Sequence, residues 1–80
     1  MTTTTEVRPL YAIAADISRN WLKINYAARP YLEAMASLDK ITDSYGYDSA
    51  DSIVRYFLSN ASTWRGDTAR WIKAELKGML

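Results

Sequence analysis

RPYLEAMASLDKITDSYG, residues 29–46, carries its large apolar side chains at Tyr31, Met35, Leu38, Ile41 and Tyr45. Spacings of four, three, three and four place them in one stripe down an α-helix of about 3.6 residues per turn. Ala34 and Thr42 fall within that stripe, and Glu33, Ser37, Asp39, Lys40 and Asp43 fall outside it. Pro30 suits a first helical turn, where its missing N–H leaves nothing unpaired. Gly46 suits the left-handed residue that closes a helix. Start, face and stop agree, so the stretch predicts a helix over 29–45 with Leu38 at the centre of its buried side.

Working outward toward the N-terminus, Asn25-Tyr26-Ala27-Ala28 reads as the turn into this helix, with Arg29 biased away from helical backbone by the following proline. Before it, Pro9 can open a helix over 9–24 whose main stripe is Leu10, Ile13, Ala14, Ile17, Trp21 and Ile24. Tyr11, Ala15 and Leu22 lie at its edge or on another face. An apolar arc this broad fits a central helix packed on two neighbours; it equally fits a helix whose Tyr11 and Leu22 meet a second molecule. Residues 1–7, MTTTTEV, are polar and threonine-rich and read as a flexible tail before a helical domain over 8–80.

Toward the C-terminus, a third helix is expected over 48–60. Asp48 is its expected cap, Asp51 complements the helix dipole, and Ala50, Ile53, Val54, Phe57, Leu58 and Ala61 form its apolar face. A fourth helix is expected over 64–79, beginning somewhere in Thr63 to Asp67, with Ala69, Ile72, Leu76, Met79 and Leu80 facing inward. Gly66 weakens an early start, and Asp67 can serve as the N-cap. The fold expected is therefore all-α, a compact bundle of about four helices.

Composition narrows the chemistry. Eighty residues with 49 % hydrophobic content can build one modest core. A net charge of +1 supplies no global pull toward nucleic acid or an anionic membrane. No apolar run approaches the length of a bilayer span, and MTTTTEVRP lacks the apolar segment of a secretory signal, so a cytoplasmic location is the default expectation. The chain has no cysteine and no histidine, which removes thiolate nucleophiles, the usual general base near neutral pH and the commonest metal ligand. No enzyme activity and no cofactor is expected.

Among the acidic residues, Asp39, Asp43, Asp48 and Asp51 form the densest cluster. In DSYGYDS, tyrosines occupy positions where a calcium loop needs oxygen ligands, so a solvated acidic edge is expected and no metal. Among the basic residues, Arg70, Lys73 and Lys77 share the outer face of the last helix, with Arg65 close by. With the third helix they could form a helix-turn-helix contacting phosphates, although Asp67 and Glu75 interrupt the charge.

The aromatic supply is large: three Trp, six Tyr and one Phe. Trp21 and Phe57 sit on core stripes, and Trp64 is placed to pack over the junction of the last two helices. Tyr47 and Tyr56 lie off the stripes. On a helical wheel Trp71 belongs neither to the core stripe nor to the cationic face. It either folds down over the first helix or the N-terminal segment, or it marks a contact with another chain. Aromatic residues and arginine dominate interface hot spots, so Trp71, Tyr56 and Arg55, with Tyr11 and Leu22, are candidate partner-binding residues.

The stretches ARPYLEAM, YFLSNA and TWRGDTAR, within residues 26–80, resemble a group of small uncharacterised helical proteins encoded by actinobacterial phages and related actinomycete genomes. The resemblance implies a phage or mobile-element accessory protein acting inside a bacterial host, and it transfers no functional residue. The function expected is a non-enzymatic protein-interaction module that binds a host or phage protein, with self-association as a further expectation. The alternative is a small DNA-binding protein using Arg65, Arg70, Lys73 and Lys77.

Overall fold

The computed structural model describes residues 7–80. The tail expected over residues 1–7 falls outside them apart from Val7, which is exposed. Among the described residues the elements are α1 (Leu10–Asn20), α2 (Arg29–Met35), β1 (Ser44–Tyr45), β2 (Asp48–Ser49), α3 (Ala50–Ser59) and α4 (Asp67–Met79). Four helices around one core match the expectation. The two strands do not, so the chain is mainly helical without being strictly all-α.

The largest departure is in the stretch that reads most clearly as a long helix. α2 stops at Met35, ten residues before the expected end. The Ala34 carbonyl, which a continuing helix would offer to the Leu38 N–H, instead accepts from the Ser37 N–H at 3.1 Å and the Ser37 hydroxyl at 2.9 Å. Short polar side chains compete with the helical ladder in this way. Beyond it, the Asp43 carboxylate accepts the N–H groups of Asp39 at 3.1 Å and Lys40 at 3.0 Å, closing a turn. Leu38 is still buried, and the half-buried Ile41 packs on the core, but both do so from a loop.

That loop has a structural task of its own. The carbonyls of Asp39 and Leu38 accept the Leu10 and Tyr11 N–H groups at 2.8 and 2.9 Å. A helix leaves its first N–H groups without internal partners, and Pro9, at the N-cap of α1, has no side-chain acceptor to offer. The loop after α2 therefore caps α1 and draws Leu38 into the core beneath it.

Gly46 does not close a helix. With φ of +64° it occupies the first central position of a tight hairpin between β1 and β2. Tyr47 follows with negative φ, as in a type II′ turn, where glycine is favoured at the first position. Ser44 pairs with Ser49 and Tyr45 with Asp48. Asp48 is thus a strand residue and not the expected helix cap. The cap of α3 is Ser49, whose Oγ accepts the Ser52 N–H at 3.4 Å.

α1 also ends early, at Asn20 and not near residue 24. Trp21 leaves the helix with φ −110° and ψ 91°. That swing lays its indole on Trp64, with centroids 5.5 Å apart and planes 11° from parallel, and sets it edge-on to Phe57 at 6.1 Å. Stacked and edge-on contacts of this kind add to the burial of the three rings. Leu22 consequently sits in a turn, fully off the face on which it was expected. At the start of α4, Gly66 is the N-cap with φ of +113°, and Asp67 falls in the first turn, not at the cap. The expected start at residue 64 fails because Trp64 is committed to the core and Gly66 adopts a backbone foreign to helices.

The core joins these pieces. Phe57, Leu10, Ile13, Ile17, Met35, Leu76 and Val54 are fully buried, and no polar or charged residue among those described is buried with them. α2 packs chiefly on α3, while α1 lies against both α2 and α4. Arg8 ties α1 to α4 at the surface. Its guanidinium donates to both Glu75 oxygens at 2.9 and 2.8 Å and to Asp16 at 2.5 Å. Hydrogen bonding to Arg8 holds the Asp16 carboxyl below the usual carboxylate range.

Candidate functional site

The hairpin register decides what stands beside α2 and α3. Residues directly opposite in an antiparallel pair project to the same face, so Tyr45 and Asp48 share one side of the hairpin and Ser44 and Ser49 the other. Tyr45 and Asp48 form one wall of a groove of about 540 Å³. α2 contributes Pro30, Tyr31 and Ala34, and α3 contributes Ile53 and Tyr56. Ala34 and Ile53 are buried and make an apolar floor. Tyr31 and Tyr56 pack together with ring centroids 5.5 Å apart and planes tilted by 33°. Tyr56 and Tyr45 remain 53 % and 48 % exposed, so their rings are available to a ligand.

Asp48 is the charged residue of this groove. Five other acidic side chains are engaged, while Glu33 and Asp39 lie outside the groove. Asp16 and Glu75 hold Arg8, and Asp43 holds two backbone N–H groups. Asp51 accepts from the Ser49 hydroxyl and lies 3.9 Å from Arg55, and Asp67 pairs with Arg70. Among the described residues Asp48 takes part in no ion pair. The expected acidic cluster is therefore dispersed: Asp39 and Asp43 share a turn and no helical face, and Asp51 serves α3.

The residues singled out from sequence do not converge on one surface. Tyr56 lines the groove, and Arg55 precedes it on α3 with its guanidinium directed to Asp51. Trp71 stands on α4, 67 % exposed, so α1 does not cover it as one expectation had it. Tyr11 is half-exposed on α1, and Leu22 is 88 % exposed in the turn that follows. The sequence reading places Tyr31 and Tyr45 on the buried stripe of one helix over 29–45 and not in a site, whereas α2 ends at Met35. The signal that could have found Tyr45 is Tyr-Gly-Tyr: β-favouring aromatics flanking a glycine suited to the first position of a II′ turn.

The basic residues do gather. Arg65, Arg70 and Lys73 line a hollow of about 340 Å³ with Trp64, Gly66 and Ala69, and Lys77 follows one turn along α4. The Lys73 ammonium donates to the Trp64 carbonyl at 2.6 Å. Partial burial, then the neighbouring charges of Lys77 and Arg65, pushes its pKa below the ordinary lysine range. Asp67 offsets some of this charge through its contact with Arg70. The connection from α3 to α4 runs from Asn60 to Gly66, longer than the three- or four-residue turn of a helix-turn-helix.

No helix among the described residues is long and apolar enough to cross a membrane. Comparison with protein-family models, with curated proteins and with solved structures finds no match to this chain.

Proposed function

We propose that this chain is a non-enzymatic protein-interaction module and that the tyrosine groove between α2, the hairpin and α3 is its binding surface. The observation that carries this reading is the convergence of Tyr31, Tyr45 and Tyr56 over an apolar floor. Tyrosine offers a large, rigid contact area with a polar tip and concentrates at interface hot spots. In keeping with the resemblance, the partner is a protein of a bacterial host or of the phage or mobile element, met inside the cell. A displayed peptide library tests the reading. Selected peptides should lose binding to a Tyr45→Ala/Tyr56→Ala variant and keep binding to Trp71→Ala. Peptides indifferent to the tyrosine substitutions would refute it.

A second reading, nucleic-acid binding, draws support from the gathering of Arg65, Arg70 and Lys73 around one hollow. Contacts to phosphates release counterions, so affinity for duplex DNA would fall steeply with salt. Lys73 holds the Trp64 carbonyl, so the informative variant is Arg65→Glu/Lys77→Glu, which spares that contact. Fluorescence anisotropy of a labelled duplex at low salt, showing no binding by the wild-type chain, would remove this reading.

A further inference from the structure

We infer that the tyrosine groove receives an arginine side chain of a protein partner, its guanidinium stacked on the Tyr31–Tyr56 pair and its fork directed to Asp48. The inference rests on the interaction reading above and adds the chemistry of the occupant.

Charge complementarity is the first argument. Asp48 is exposed in the groove wall and takes part in no ion pair among the described residues, whereas neighbouring Asp51 already has Ser49 and Arg55. A carboxylate framed by three phenols on an apolar floor complements an organic cation. Tyrosine faces attract cations through the ring quadrupole.

Ring geometry then selects among cations. A compact ammonium or quaternary ammonium is held best when aromatic faces surround it. Here Tyr31 and Tyr56 cover one face of each other, with centroids 5.5 Å apart and a tilt of 33°, so no cation can enter between them. Tyr31 is packed against the core, so the ring of the pair open to a ligand is Tyr56, 53 % exposed. A planar guanidinium can lie flat on that ring while its edge makes two parallel N–H···O bonds to one carboxylate. A lysine ammonium can make the charge contact but not the stack.

The register explains why the arrangement is held ready. Tyr45 and Asp48 are cross-strand partners on a hairpin whose turn is set by Gly46, and β2 runs directly into the N-cap Ser49 of α3. The Ala50 N–H donates to the Asp43 carbonyl at 2.8 Å, tying the far end of the hairpin to the loop before it. The carboxylate is thereby carried on backbone anchored at both ends.

The test is a titration of the ¹⁵N-labelled full chain, followed by NMR, with the peptide Ac-Gly-Arg-Gly-NH₂. Ac-Gly-Lys-Gly-NH₂ and tetramethylammonium chloride form parallel arms. Saturable shifts confined to the amides around Tyr31, Tyr45–Ser49 and Tyr56, strongest for the arginine peptide, are expected. Asp48→Asn, at an exposed strand position, should keep the native spectrum and weaken the arginine peptide by roughly tenfold. An unchanged affinity in Asp48→Asn, equal binding of the lysine peptide or tetramethylammonium, or no saturable shift would each overturn the inference. The displayed library separates this failure from failure of the broader reading. Arginine-free peptides that compete for the groove would overturn the arginine assignment alone, and a library with no groove binder would overturn both.

Discussion

Leu38→Ala is the sharpest probe of how this core is assembled, because Leu38 is buried from a loop in which helix propensity plays no part. The side chain is 4 % exposed. Truncation to alanine removes three buried carbon groups, at about 0.8 kcal/mol each by transfer. A residual cavity adds to this and brings the expected loss to about 3 kcal/mol, within the range of about 2–5 for buried leucines. In a domain of this size that is a large fraction of the total stability. The effect should reach beyond the cavity. The Leu38 carbonyl accepts the Tyr11 N–H at 2.9 Å, and its neighbour Asp39 accepts the Leu10 N–H at 2.8 Å. Loosening the loop should therefore raise hydrogen exchange at the first turn of α1. Urea denaturation measures the first effect as a lowered midpoint with an unchanged slope. Glu33→Ala, on the exposed side of α2, is the control and should stay within about 0.5 kcal/mol of wild type. A loss below about 1 kcal/mol for Leu38→Ala, or unchanged exchange at Leu10 and Tyr11 beside a large loss, would refute the view that this loop both fills the core and caps α1.

Three further outcomes are expected. Gly66→Ala should destabilise by roughly 1–3 kcal/mol through backbone strain alone, since φ is +113° while an added Cβ would meet nothing within 4 Å; thermal melting measures it, and an unchanged midpoint would contradict it. Asp43→Ala should destabilise, because it leaves the Asp39 and Lys40 N–H groups without their acceptor; on a continuous helix the same change would stabilise, so the sign seen in urea denaturation decides between a turn and a helix here. Asp16 and Asp43 have folded-state pKa values depressed below the unfolded value of about 3.9. Their stabilisation is present above that value and is lost as pH falls through the depressed pKa values. Arg8→Met should therefore flatten the acid limb of a stability–pH curve relative to wild type, and identical acid limbs would show that the Arg8–Asp16 pair contributes nothing measurable.

Local patterning and composition were enough to establish four helices, most of their inward faces, and the absence of histidine and thiol chemistry. Leu10, Ile13, Ile17, Ile53, Phe57, Ile72 and Leu76 are buried as the helical period requires, because which side of a helix is apolar is a property of consecutive residues. Where helices stop was not legible in the same way. Residues 36–45 carry a helical period, yet they form a turn, a capping loop and half a hairpin. Ser37 takes the Ala34 carbonyl, the Asp43 carboxylate takes the Asp39 and Lys40 N–H groups, and the Leu38 and Asp39 carbonyls take the start of α1, and those bonds replace the helical ladder. Trp21 left its helix for a partner at Trp64, which no local rule anticipates. The groove is the extreme case. Tyr31, Tyr45 and Tyr56 belong to three elements, and their meeting depends on α2 packing on α3 and on the pairing that turns Tyr45 and Asp48 to one side. Periodicity reports which face of an element is apolar. The groove depends on which elements tertiary packing brings side by side, and that leaves no periodic trace in the chain.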